Sequence, residues 1–154
     1  MAMKTGVRGT LLAIATHPKP GANMVEHESA ALRPGTGVVG DVPGRSNRRE
    51  VTVVDSAAWQ RACAELEQEG PWTARRSNLL ISGLDLCLSS GGELRIGEVR
   101  LRITGETQPC GLMDRQCAGL QRALKPEWRG GATCTVLTGG RVEVGSTVEL
   151  SLAE

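Results

Sequence analysis

Apolar and polar residues alternate strictly along the second half of the chain. Val99, Leu101 and Ile103 are separated by Arg100 and Arg102, with Glu98 before them, and the same period returns at Val142 and Val144 and at Val148, Leu150 and Leu152. Successive side chains of a strand point to opposite faces, so a period of two predicts strands with one face buried and the other in water. Arg48 to Val54 and Asn78 to Ile81 predict two further strands, each rich in branched side chains, and the apolar run Thr10 to Thr16 predicts a first one. Ser90-Gly91-Gly92, Gly97, Gly139-Gly140 and Gly145-Ser146 punctuate these runs as turns.

Helical spacing occurs twice. Asp55-Ser56 offers an N-terminal cap, Trp59, Ala62, Cys63 and Leu66 share one face, and Gly70-Pro71 stops the run. Asp114 caps a second run, in which Cys117, Leu120 and Leu124 share a face and Lys125-Pro126 ends it. Two helices among many short strands predict a mostly β fold, all-β to α+β, with an antiparallel sheet or barrel and helical connections. A parallel α/β sheet would need a helix after nearly every strand. Thr16 to Asn47 shows no regular period, and a structureless stretch of that length in a compact domain is usually functional or disordered. There is no internal repeat and no sign of a second domain, so residues 1–154 are read as one domain.

Composition narrows the picture only in places. At 154 residues the chain can bury a full core without a disulfide or a metal. With no Phe and no Tyr, that core must come from Leu, Val, Ile, Ala and three Trp, and aromatic platforms for stacking bases are nearly missing. A net charge of +1 gives no footprint for nucleic acid or an anionic membrane. No twenty-residue apolar span is present, and the run after Lys4 and Arg8 leads into His17-Pro18-Lys19-Pro20 instead of a small-residue cleavage site, which predicts a cytoplasmic protein. Fifteen of the eighteen basic residues are Arg, whose planar fork suits phosphate and carboxylate, although a solubility bias accounts for the same count.

The chemistry centres on five cysteines. Cys63, Cys87, Cys110, Cys117 and Cys134 form no CxxC, and His17 and His27 lie far from them in sequence, which is poor material for a zinc site. The odd count also argues against a disulfide framework. Cys63, Cys87, Cys117 and Cys134 sit among apolar neighbours or on an apolar face and read as small core residues. Cys110 follows Pro109 where a strand has ended and precedes a helix start. A helix N-terminus favours thiolate, Gly111 removes bulk and Arg115 adds positive charge. Local chemistry alone leaves Cys110 open between a sulfur nucleophile and a quiet loop cysteine, and no base is near it in sequence.

A wider set of residues bears on that choice. Gly37-Val38-Val39-Gly40-Asp41, Arg49-Glu50-Val51, Arg76-Ser77-Asn78-Leu79-Leu80 with Ser82-Gly83-Leu84-Asp85, Gly97, Pro109-Cys110 and Val136-Leu137 with Gly139-Gly140 and Val144-Gly145 follow one another in an order that resembles the MOSC domain. That family is named for the C-terminal domain of molybdenum cofactor sulfurases, and the chain looks most like its small stand-alone bacterial members, from about Gly6 to Leu150. The resemblance implies a MOSC-like β-barrel with two or three helical connections. It also implies that Cys110 carries sulfur as a persulfide received from a cysteine desulfurase and passed to molybdenum cofactor, a molybdoenzyme or another metal-sulfur centre. In related reductases of N-hydroxylated compounds the matching cysteine instead ligates molybdenum. Both roles use a soft, accessible thiolate.

By the same resemblance Arg49, Arg76 and Asn78 hold the phosphate or pterin of the cofactor, and Asp41 either joins them or pins a loop. Pyridoxal phosphate belongs to the partner desulfurase, since Lys4, Lys19 and Lys125 lie in no convincing motif for it. Many family members carry a His shortly after Gly-Asp where this chain reads Val42-Pro43-Gly44, so any acid or base role there falls to His17 or His27 or is lost. Three expectations follow: a sulfurtransferase-like carrier, a molybdenum-cofactor-binding module, or a barrel without retained chemistry.

Overall fold

The computed structural model describes residues 3–4, 6–19, 22–42, 50–68, 70–107 and 119–153. Strand β1 (Met3–Lys4) is followed by β2 (Arg8–Thr16), β3 (Val25–His27), β4 (Ser29–Arg33), β5 (Gly37–Val38) and β6 (Val51–Asp55). Helix α1 (Ser56–Glu65) and a 3-10 turn (Trp72–Arg75) lead into β7 (Leu79–Ser82), β8 (Glu93–Ile96) and β9 (Val99–Glu106). Helix α2 (Leu120–Leu124) and a second turn (Pro126–Trp128) precede β10 (Ala132–Thr138), β11 (Gly140–Glu143) and β12 (Thr147–Ala153).

Seven strands, in the order β12-β8-β9-β10-β6-β7-β2, close into a barrel because β12 also pairs with β2, with Thr147 opposite Thr10. β1 extends the sheet beyond β12 and β3 extends it beyond β2, while β11, β4 and β5 form a separate three-stranded sheet. The described pairs are antiparallel except β6 with β7. That parallel pair needs a crossover, which α1 and the 3-10 turn supply.

The alternation along β9 works as the sequence predicts: Val99, Leu101 and Ile103 are buried, and Arg102 is exposed. The interior is filled by branched aliphatic side chains, among them Leu11, Leu79, Ile81, Leu94, Leu101, Ile103 and Val148, with Cys134 between them. A second apolar cluster lies under the helices and joins Trp59, Ala62, Leu120, Ala123 and Leu124 to Ala15, Val54 and Trp72. Asp55 caps α1 as expected, its Oδ2 accepting the Ala58 N–H at 3.1 Å.

Two expectations need correction. The stretch from Thr16 to Asn47 contains β3, β4 and β5. These strands are two to five residues long, too short to show a period, and are held by partners elsewhere, β4 by β11 and β3 by β2. Val144 and Leu152 continue the alternation of their strands in sequence but are 38% and 41% exposed, because they lie beyond the reach of the core. Of the second expected helix, Leu120 and Leu124 are buried on α2, whereas Asp114 and Cys117 lie outside the described residues. Among the described residues no helix is long and apolar enough to cross a membrane.

Candidate functional site

Where β2 ends, the chain meets two segments remote in sequence. The His17 N–H donates to Asp41 Oδ1 at 2.6 Å, and the Val42 N–H donates to the His17 carbonyl at 2.7 Å. Asp41 sits just past β5 on a turn closed by its own N–H to Val38 O at 3.1 Å. Its other oxygen, Oδ2, accepts from Asn78 Nδ2 at 3.2 Å.

Asn78, immediately before β7, is 4% exposed and joins three segments. Its Oδ1 accepts from the Thr52 N–H at 3.0 Å and from the Thr52 hydroxyl at 3.3 Å, while Nδ2 donates to Ala15 O at 3.2 Å as well as to Asp41. The backbone N–H of Thr52 can only donate, which fixes the amide's orientation. Both amide hydrogens and both oxygen lone pairs are therefore committed to the protein. Its side chain positions β2, β6 and the Asp41 turn, and Asp41 pins that turn from the other side.

Arg76 is built differently. It follows the 3-10 turn with φ 62 and ψ 36, a left-handed conformation that costs a residue with a Cβ about 1 kcal/mol or more. Its N–H donates to Thr73 O at 2.9 Å, which holds the bend. The guanidinium lies against the imidazole of His17, with Nη2 3.1 Å from Nδ1 and also in contact with Nε2. Arg76 is exposed and has no carboxylate partner among the described residues. It lines a cleft of about 310 Å³ with Asn23, Met24, Pro71, Thr73 and Ala74.

Cys110 and Arg49 lie outside the described residues. Their neighbours are described. Thr107, the last residue before the Cys110 segment, is buried and tied by its N–H to Gly131 O at 2.9 Å. Beyond the segment, Leu120 packs in the same apolar cluster as Trp72 and Met24, and Met24 is a wall of the cleft. Next to Arg49, Glu50 turns its carboxylate to the Val136 N–H at 3.0 Å and the Gly35 N–H at 3.2 Å.

Burial works against the thiolate at two of the described cysteines. Cys134 is fully buried and its thiol is pushed up to about 12 by desolvation. Burial, with Asp85 nearby, also pushes the Cys87 thiol up, and Cys63 is half-buried against the helical cluster. His27, the other histidine, hydrogen-bonds the Thr16 hydroxyl at 2.8 Å and lines a separate cleft of about 250 Å³ with Leu12, Glu26, Glu28 and Val144. Sequence reasoning named His17 only as a substitute for a missing residue and gave Thr52 no part in the site. No local signal marks either, because the partners of His17 lie 24 and 59 positions away.

A closed seven-stranded barrel with a helical layer and a polar cluster where β2, β5 and β7 meet defines a small β-barrel domain class with a ligand-sized cleft at one side. The MOSC domain model matches residues 40–149, and the chain belongs to that family, which is associated with the molybdenum cofactor. The match spans Asp41, Arg49, Arg76, Asn78 and Cys110 and begins beyond His17. In fold the chain is similar to the YUAD protein of Bacillus subtilis, with a TM-score of 0.86 at 16% identity, covering 99% of this chain and 100% of that one. It is also similar to YiiM from Escherichia coli, at a TM-score of 0.71 and 18% identity over 96% of this chain and 70% of that one. For YiiM from Geobacillus stearothermophilus the values are 0.67 and 19%, over 95% and 75%. No curated protein matches the chain by sequence.

Proposed function

We propose that the chain is a sulfur carrier of the sulfurtransferase type. The Cys110 thiolate attacks the terminal sulfur of a persulfide on a cysteine desulfurase, which keeps its own pyridoxal phosphate. The sulfur–sulfur bond of the donor breaks, a new one forms on Cys110, and the donor cysteine leaves as thiolate. Release of that sulfur as sulfide to molybdenum cofactor or another metal-sulfur acceptor needs two electrons, which a thiol reductant supplies. The observation that carries the reading is that the family match spans Cys110 together with Arg76, a cation beside a cleft with no carboxylate partner among the described residues.

That cleft also favours a second reading, in which the domain binds molybdenum cofactor, with Cys110 as the metal's sulfur ligand, for delivery or for reduction of N-hydroxylated compounds. The donor set fits the anionic end of such a cofactor: Arg76 would be the fork for a phosphate, Arg49 would join it, and Asn78 and Asp41 would fix the chain segments next to Arg76. The metal would supply the redox chemistry. Mass spectrometry after incubation with a cysteine desulfurase and cysteine separates the readings. A gain of one sulfur that disappears in Cys110→Ala supports the carrier. No gain, together with molybdenum retained on co-expression, overturns it in favour of the binding module, and failure of both leaves a barrel without this chemistry.

A further inference from the structure

We propose that the end of the barrel around Leu88 is the docking face for the protein that donates sulfur, a partner with an apolar socket inside a basic rim. The proposal rests on the carrier reading and adds to it the surface at which the donor is met. The loop from β7 to β8 folds into a tight turn. In it the Ser89 N–H donates to Leu86 O at 3.3 Å, the Ser89 hydroxyl donates to the same oxygen at 2.6 Å, and the Cys87 N–H donates to Asp85 Oδ1 at 3.0 Å. Leu86 and Ser89 are buried at its base, and Leu88 projects from it at 82% exposure, the most exposed large apolar side chain among the described residues. Leu88 has a φ of +58 at the third position of the turn, where a glycine fits without steric cost and a leucine does not. A leucine that is strained and left in water gains the fold nothing, so its use lies in contact with another molecule.

The surroundings of Leu88 define the charge of that molecule. Two hydrogen bonds of 2.8 Å, from Gly91 N–H to Ile103 O and from Ile103 N–H to Gly92 O, tie the loop to β9 three residues before Glu106. Glu106 lies opposite Ala132, and the neighbouring Gly131 N–H donates to Trp128 O at 2.8 Å, which brings the Glu127–Trp128 turn to the same end. Both residues of that turn are left-handed as well, at φ 52 and 57, so three of the five described non-glycine residues with positive φ gather here. Burial, and then the carboxylates of Asp85, Glu127 and Glu106, push the Cys87 thiol up, so all three acids surround the residue next to Leu88. Neither Asp85 nor Glu127 has an ion-pair partner among the described residues, and Lys125 beside the turn does not balance three carboxylates. A partner that buries Leu88 must therefore offset negative charge, which a rim of Arg and Lys does. β9 leads from this face toward Cys110, which follows Glu106 by four positions, and four residues of chain reach at most about 14 Å. A donor seated on Leu88 thus brings its persulfide to the cysteine that the carrier reading loads.

The test measures sulfur loading of the full chain by mass from two donors, a cysteine desulfurase with cysteine and glutathione persulfide. The second passes its outer sulfur to the Cys110 thiolate and leaves as glutathione thiolate, with no docking face needed. The expected result is loading from both, saturable with the desulfurase. Leu88→Gly relieves the strained turn, so its Tm should equal or exceed that of the wild type. Its KM for the desulfurase should rise at least about tenfold with kcat nearly unchanged, the scale of losing an interface anchor, while its loading by glutathione persulfide stays the same. Glu127→Lys should raise the same KM severalfold at low salt, and about 0.5 M salt should remove that difference, because screening weakens exposed charges. Glu143→Lys makes the same charge change at an exposed position on the separate three-stranded sheet and should leave the KM as it is. An unchanged KM in folded Leu88→Gly, or an equal loss with both donors, would overturn the docking face while the carrier stands. Loading of the wild type by glutathione persulfide but not by the desulfurase would overturn it too. Loading by neither donor would remove the carrier reading itself, and this proposal with it.

Discussion

Asn78 carries more of the site's architecture than its size suggests. Four side-chain hydrogen bonds converge on it inside a 4% exposed position, so its removal takes a partner from the Thr52 N–H and the Ala15 carbonyl, while the Thr52 hydroxyl keeps the Asn78 backbone N–H at 3.1 Å. Each unpaired buried group costs about 1–3 kcal/mol, and some will recruit water, so Asn78→Ala should lose about 2–4 kcal/mol in urea unfolding. Asn78→Asp should do no better, because it places a second carboxylate where Asp41 now accepts a hydrogen bond. Cys134 makes the opposite point about buried groups. Its folded-state thiol is raised from 9.0 to about 12, so the unfolded chain loses its proton first as pH rises. The contribution to stability is therefore complete below about pH 9 and shrinks above it, and the difference between wild type and Cys134→Val should narrow steadily toward about pH 12 in alkaline unfolding curves. For the same reason alkylation near about pH 8 should label Cys134 only after unfolding.

Among the elements, the three-stranded sheet is seated on the barrel by Glu50 as well as by Ala30, Leu32, Val38 and Val142, which share the barrel's core. Glu50 accepts from Val136 N–H on β10 and from Gly35 N–H in the turn between β4 and β5, and its own N–H donates to Cys134 O. Gly37 lies so close to the Glu50 carbonyl that a Cβ there would fall 2.0 Å from the oxygen, at a φ of +88. Hydrogen bonds to a charged acceptor are worth about 1.5–3 kcal/mol, so Glu50→Ala should cost about 2 kcal/mol and speed amide exchange at Gly35 and Val136 before the rest of the barrel. The Asp41 turn follows β5 directly, and its hold on His17 should loosen in the same variant. This element was hidden in the sequence. Val38 alone gives β5 no period, whereas β9, with six alternating residues, was legible without help.

For the molecule as a whole, closure depends on the contact of β2 with both β7 and β12. Gly9 lies against the Ser82 backbone, where a Cβ would stand 1.9 Å from the carbonyl oxygen. Gly9→Val cannot be accommodated without moving β2 off β7, and it should open the barrel. Loss of the near-ultraviolet circular dichroism of the three Trp, with stability reduced by more than about 3 kcal/mol, checks this expectation. The mostly β class, the capped first helix, the strands around Val99, Val148 and Leu79, and the membership of Asp41, Arg76 and Asn78 in one motif series were all legible in the sequence. The strands and the helix rest on local chemistry, since period, capping and turn residues act over a few positions and leave a pattern that can be read, whereas the motif series rests on the family resemblance. What only the tertiary structure decided is who meets whom. Asn78 joins β2, β6 and the Asp41 turn, because Thr52, Ala15 and Asp41 surround it from 26, 63 and 37 positions away. His17 faces Arg76 because barrel closure brings the end of β2 beside the start of β7. Those contacts form between segments whose separation along the chain leaves no trace in either one, since hydrogen bonds and packing depend on distance in space.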